Sequence, residues 1–305
     1  MKHKKFQWSL AAISALTAMF LIMCGSVAEV QFPIDVGERP ESITRGFDGN
    51  YYVTLMNGNE EQDGEVIELA PGVIRVFSTG FNEPKGIAYV NDHLYVSDVT
   101  KIWEIDKNGA AGVLVDAMDF PHEVLYLNDV AVDENGNGIY VTDMGASSKM
   151  RDPDGKLWPL DSEGAAVIPV VGRVYHIDPE GTVTVAQDTS DLMLNPNGVS
   201  IDNDGNLMIS AFFLGNVLVQ KHGDLTKLPG QFRGADGVEQ DSKGNIYVSS
   251  WEQGTVWKID AETKESSVLV DTLQAAADFY LEENKGRLLV PDMKAGTVYE
   301  MKLPE

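Results

Sequence analysis

The chain has 305 residues, a formal net charge of −24 from 47 acidic and 23 basic residues, and a single cysteine. Such acidity argues against nucleic acid or an anionic membrane surface as a partner. One cysteine permits neither an intramolecular disulfide nor a thiolate metal cluster, so packing alone must hold the fold.

Residues 1–28 read as a secretory leader: a basic start (Lys2, Lys4, Lys5), an apolar run from Trp8 to Met23, and small residues Ser26 and Ala28 before Glu29. The run is short for a membrane span. A competing reading makes Leu21-Ile22-Met23-Cys24 a lipoprotein box with acylation of Cys24, although Met23 stands where a small residue is usual. The first reading gives soluble export to the periplasm or the medium, the second a lipid anchor.

From residue 40 the same word returns six times: PESITRGFDGNYYVT, PKGIAYVNDHLYVSD, LNDVAVDENGNGIYVTD, PNGVSIDNDGNLMIS, ADGVEQDSKGNIYVSS and ADFYLEENKGRLLVPD. Each is a polar residue, a strand, a turn and a second strand. The marked polar residues are Glu41, Lys85, Asn128, Asn197, Asp236 and Asp278, spaced at about forty residues except for the longer step from Asn128 to Asn197. Apolar and small polar residues alternate along the second strands (Tyr95 and Ser97, Tyr140 and Thr142, Tyr247 and Ser249), and Asn-Asp, Asn-Gly, Asp-Gly and Lys-Gly turns close the hairpins. The pattern predicts an all-β, six-bladed β-propeller with four antiparallel strands per blade. Further strands are expected, for example at Lys101–Ile105 and Val113–Val115.

The expected domain spans 29–305, with no Pro/Ser-rich linker to divide it and an insertion at about 144–170 in the third blade. The insertion carries Lys149, Arg151 and Trp158 and should overhang the mouth of the ring near Asp98, Asp143 and Asp292, as a lid that shapes the substrate site or as decoration. The sixth repeat ends on a third strand, Gly296–Leu303. Val30–Ile34 is therefore expected to supply its fourth and cover the open edge.

First strands line the channel of a propeller, so the six marked residues should form a ring around its axis. Capping of the loop entering each strand is the other use of Asn and Asp here, but it does not explain Glu41 and Lys85 at the same register. Glu41 and Asp236 offer two charges, and Asn128 and Asn197 neutral amide oxygens. Such a set suits a hard cation, Ca²⁺ first and then Mg²⁺ or Mn²⁺. Lys85 either holds an anionic group of a substrate or pairs with Asp278 or Glu41.

At these residues the chain resembles the calcium-dependent six-bladed propellers of the regucalcin/gluconolactonase (senescence marker protein) family and diisopropyl-fluorophosphatase, and more distantly the paraoxonases and strictosidine-synthase-like proteins. The words PES with a glycine turn eight residues after Glu41, LND, PNG and ADG look like the four metal-ligand motifs. The resemblance covers all six blades. It implies metal ligands Glu41, Asn128, Asn197 and Asp236, with Asp236 as the catalytic base or nucleophile. Two positions depart from it: Tyr126 stands where gluconolactonases carry the arginine that grips the sugar, and Lys85 where paraoxonases carry a histidine. Substrate contacts are expected from Lys85, Tyr126, Asp278 and Trp158.

The half EF-hand pattern Asp133-Glu-Asn-Gly-Asn-Gly138 reads as a hairpin turn, since its twelfth position is Met144. No GxSxG, HExxH, P-loop or dinucleotide motif occurs. Of the histidines, His122, six residues before Asn128, is the one worth testing; Trp103, Trp251 and Trp257 read as packing residues. The reading that emerges is an exported, Ca²⁺-dependent hydrolase of a lactone or other ester acting on a small molecule. The alternative is a non-catalytic propeller stiffened by the ion and used for binding. Condensation chemistry fits less well, as the glutamate it needs has no place here.

Overall fold

The computed structural model describes residues 29–58 and 60–304; the leader and Cys24 lie outside the described residues. The chain forms six four-stranded antiparallel sheets, five of them from consecutive strands. The sixth joins the chain's two ends: Ile34–Asp35 pairs with Thr297–Lys302, Ile34 opposite Val298. This is the expected closure, but with a shorter strand than Val30–Ile34. Pro33 lacks the N–H a ladder needs, and Val30 and Phe32 turn instead into the apolar cluster between the first and last blades. There Phe32 meets Tyr51 edge-on at 5.7 Å. Among the described residues no helix is long and apolar enough to cross a membrane.

The core is distributed rather than central. Large residues from the middle strands of each blade pack against the next blade, giving an apolar cluster at each of the six seams. The seam that closes the ring also holds a polar network: Tyr51 donates to Glu282 at 2.8 Å, and Arg287 bonds both Glu282 and Glu300 at 2.7 Å. Burial pushes the Glu282 carboxyl up, but hydrogen bonds from Tyr51 and Arg287 outweigh it and hold the group below its ordinary range.

Asp133, Asp202 and Asp241 cap the hairpins as Asx turns; Asp133, for example, accepts the N–H groups of Asn135 and Asn137 at 3.0 and 2.9 Å. The half EF-hand pattern is therefore turn chemistry. Between Asp143 and Arg173 the third blade extends into the insertion, which contains the helix Glu163–Ala166. A seventh cluster, with Met144, Met150, Ala165, Ile168, Phe212 and Phe213 at its heart, seats it over the fourth and fifth blades.

Candidate functional site

The first strands of blades one to five are Pro40–Arg45, Pro84–Val90, Leu127–Val132, Pro196–Ile201 and Ala235–Gln240. Each breaks register at the same place, between its first and fourth residues. The irregularity is a β-bulge, which re-aims a side chain while the strand continues. The residues in it include Glu41, Lys85, Asn128, Asn197 and Asp236, all buried. Second-strand hydroxyls tie the first four bulges to the next blade. Thr54 Oγ1 accepts the Ser42 N–H at 3.0 Å and donates to the Lys85 carbonyl at 2.6 Å; Ser97, Thr142 and Ser210 donate to the carbonyls of Asn128, Asn197 and Asp236. The blades approach so closely here that a Cβ on Gly198 would lie 2.1 Å from the Asp236 carbonyl, which accounts for the glycine in PNG.

Carboxylates at the ends of second strands fix the loops that deliver the site. Asp98 accepts the N–H groups of Asn82 and Glu83, Asp143 that of Tyr126 at 2.9 Å, and Asp292 those of Gln274 and Ala275. These three residues, expected near the mouth, are its anchors.

Four oxygens at this level have no hydrogen-bond partner: Glu41 Oε2, Asn128 Oδ1, Asn197 Oδ1 and Asp236 Oδ1. The Asn128 amide is oriented by its Nδ2, which donates to Met144 Sδ at 3.1 Å. A buried acceptor without a partner costs about 1–3 kcal/mol, and these four come from four blades at the same register. Two carboxylates and two amides are the donor chemistry of a hard divalent cation, with coordination positions left over. Burial pushes the Glu41 carboxyl up to about 8, against the lowering effect of Lys85, and the charge of Asp129 adds to the rise. Asp236 is raised well above the ordinary carboxylate range by burial and then by Glu41 and Asp129.

Lys85 is already partnered. Its ammonium donates to the Glu83 carboxylate and the Glu83 carbonyl, both at 3.1 Å, and sits 4.0 Å from the centre of the Tyr126 ring. Tyr126 in turn donates to Glu83 at 2.7 Å. Neither Asp278 nor Glu41 is its direct ion-pair partner. Burial lowers the Lys85 pKa, a shift resisted by the charges of Glu83 and Glu41.

Asp278 does not share the register expected of it. Ala276 lies opposite Asp292 as Ala235 lies opposite Ser250 and Leu127 opposite Asp143, so Ala277 holds the sixth slot. One residue later, Asp278 belongs to a second level of the channel with Asp129, and it accepts from Ser42 Oγ at 2.5 Å. It lines a cavity of about 390 Å³ at the opposite end, with Asp129, Ser200 and Glu239.

The region described as "SMP-30/Gluconolactonase/LRE-like" matches residues 77–273. The chain belongs to this family. Solved structures share the fold at low identity. A putative gluconolactonase is 15% identical, with a TM-score of 0.64 over 94% of this chain and 97% of the other. A gluconolactonase of Xanthomonas campestris is 19% identical, with a TM-score of 0.59 over 90% and 98%. Virginiamycin B lyase from Staphylococcus aureus is 11% identical, with a TM-score of 0.58 over 90% and 99%. None of the curated proteins matches the chain.

In this family member the four residues that carry the orphan oxygens line a cavity of about 490 Å³, together with Lys85 and Tyr126. The insertion contributes Ser147, Ser148, Met150 and Arg151 to its wall, so it shapes the mouth. Trp158 does not line it; the ring packs against Gly164 within the insertion, and its carbonyl accepts from Arg233. His122 is exposed and away from the cavity. Trp251, read from the sequence as a packing residue, does pack against the apolar cluster under the insertion and also lines the mouth, as do Arg39, Met56, Glu83, Phe212 and Met293. Most of these lie at strand ends, where period-two patterning no longer reports which way a side chain faces.

Proposed function

We propose that this chain hydrolyses a lactone or another ester at the channel mouth, with a divalent cation, Ca²⁺ first, held by Glu41, Asn128, Asn197 and Asp236. The observation that carries the reading is the set of four partnerless oxygens converging under an open cavity. The gluconolactonase names among family and structural relatives support the lactone class. A bound cation would supply Lewis acidity toward the substrate carbonyl.

The protein's own groups do the rest. Asp236 lines the cavity, and its ionised carboxylate takes a proton from water or attacks the acyl carbon itself. The proton it takes passes to the departing alcohol. Lys85, fixed by Glu83 and Tyr126, keeps a positive charge on the wall. Tyr126, committed to Glu83, positions that lysine and leaves the sugar-gripping role of the arginine it replaces unfilled. The insertion shapes the mouth through Ser147, Ser148, Met150 and Arg151.

The test is hydrolysis of a lactone and aryl-ester panel with Ca²⁺, with a chelator, and with Asp236→Asn. Turnover that needs the metal and falls at least about a thousandfold in the variant is expected. Thermal stability that depends on Ca²⁺ without turnover of any panel member would sink the hydrolase reading and leave a metal-stiffened binding propeller. We also propose export, on the strength of the leader. Mass spectrometry of the mature N-terminus distinguishes cleavage before Glu29 from a lipidated Cys24.

A further inference from the structure

The mouth has a second compartment. A cavity of about 640 Å³, lined by Asp35, Gly37, Glu38, Lys294, Ala295 and Gly296, adjoins the 490 Å³ mouth, and the two share Arg39, Trp251 and Met293. Each alone is in the range that holds a drug-sized ligand. Trp251 forms the sill between them. Its indole N–H is held by Met293 Sδ at 2.9 Å, and its ring carries the Lys294 ammonium at 4.1 Å and the Arg151 guanidinium at 5.3 Å from its centre. The aromatic face is thus fixed from several sides.

The chemistry of the mouth wall is not that of a sugar site. Met56, Met144, Met150, Met293, Phe212 and Trp251 supply polarisable apolar surface. The cations around them are spent: Arg39 donates to the Gly58 carbonyl at 2.7 Å, Arg151 to the Gly155 carbonyl at 2.9 Å and to Glu252, and Lys85 to Glu83. Beside the Ser147 and Ser148 hydroxyls, a polyhydroxylated ring would bury its remaining hydroxyls against thioethers, which is unfavourable. A flexible alkyl chain or an aryl group would find the reverse.

We propose that the substrate carries an extended apolar arm, alkyl or aryl, that leaves the ester or lactone head at the four oxygens, crosses Trp251 and lies in the second cavity. This rests on the hydrolase reading above. The site therefore selects medium-chain or aryl lactones and esters over sugar lactones.

The test compares δ-valerolactone, δ-dodecalactone and glucono-δ-lactone in Ca²⁺, for the full chain and for Trp251→Ala and Ala295→Trp. The second variant fills the outer cavity from an exposed position, so a folding failure of the first leaves the idea exposed to test. The expected kcat/KM for δ-dodecalactone is at least about tenfold above that for either other lactone, and both variants remove most of that preference. Calorimetric titration with the alkyl-substituted lactam, which is not turned over, reads binding separately and should weaken in both variants. Equal or better turnover of glucono-δ-lactone, or variants that act alike on long and short substrates, overturns the arm while leaving the hydrolase. Lactam binding lost in the variants, with no lactone hydrolysed, sinks the hydrolase and keeps the apolar groove. Absence of both turnover and lactam binding sinks both.

Discussion

Glu41→Gln should stabilise the metal-free protein and destabilise it relative to wild type once Ca²⁺ is present. Glu41 is 3% exposed and its carboxyl is raised from 4.5 to about 8, burial being the largest cause. A carboxyl raised in the folded state favours folding while protonated; that contribution is complete below the unfolded value of 4.5 and is lost as pH rises through about 8. At about 1.4 kcal/mol per unit, the ionised group opposes folding by roughly 4 kcal/mol at pH 8 and by about 1 kcal/mol at pH 5. Glutamine keeps the shape without the charge. Lys85 loses an attraction in the variant, but Glu83 remains bonded to it. If about half the penalty is recovered, the variant in chelator at pH 8 should melt about 4–8 °C above wild type, and at pH 5 within a degree or two of it. Glu239, also raised to about 8, titrates in both proteins and cancels in the difference. Ca²⁺ at a hundred times its Kd adds about 2.7 kcal/mol to a protein that binds it, so wild type rises and the variant does not. Differential scanning calorimetry at the two pH values, with chelator and with Ca²⁺, reads all four arms. A variant less stable than wild type in chelator at pH 8, or equal responses of both proteins to Ca²⁺, would refute the reasoning.

Three further outcomes follow from the scaffold. Thr142→Val strips the hydroxyl that accepts the Asp129 N–H and donates to the Asn197 carbonyl, leaving two buried groups unpaired; urea unfolding should show a loss of about 2–4 kcal/mol. Arg287→Ala removes the bonds to Glu282, which is 1% exposed at its side chain, and should cost about 3–5 kcal/mol at neutral pH. Because the folded pKa of Glu282 is lowered, that loss should shrink as pH falls below 4.5, and a pH-independent loss would assign the effect to packing alone. Deleting residues 29–36 uncovers the last blade's edge and empties the places of Val30 and Val36, and an unchanged melting temperature would show that the N-terminal strand closes nothing.

The fold was legible because its repeat is written in residue types with strict local duties. Hairpin turns need Asn, Asp or Gly, and second strands alternate, so Tyr95, Ser97, Tyr140 and Thr142 announced both strand and period. The purpose of the alternating hydroxyls was hidden, since Ser97 and Thr142 act on the neighbouring blade and no one-dimensional pattern reports such a contact. Asp278 misled for a related reason. The run Ala275-Ala276-Ala277 carries no pattern and the glycine of PKG, PNG and ADG is missing, so nothing local distinguished Ala277 from its neighbour, and one residue moves a side chain to another level. The closing strand was placed in the right sheet yet too early, because the sequence shows an unpaired edge more clearly than the register that fills it.

Ala277 also bears on why the other slots are as they are. Five blades place a polar side chain in the bulge and the sixth an alanine, at the same position of the same strand. A channel needing only rigidity could be filled this way throughout. Next to the bulges, Ser42 bonds Asp278, and the two oxygens of Asp129 accept the N–H groups of Val130 and Val199 at 2.7 Å each. Lys85 has its partners as well. The four partnerless oxygens stand out against this economy, because each costs stability that a neighbouring solution avoids. Such a cost is retained where an absent group repays it or where catalysis requires it. Four such oxygens, on Glu41, Asn128, Asn197 and Asp236, belong to residues lining one cavity at the end of the channel that carries the insertion, and this is the ground for proposing that mouth as the functional face.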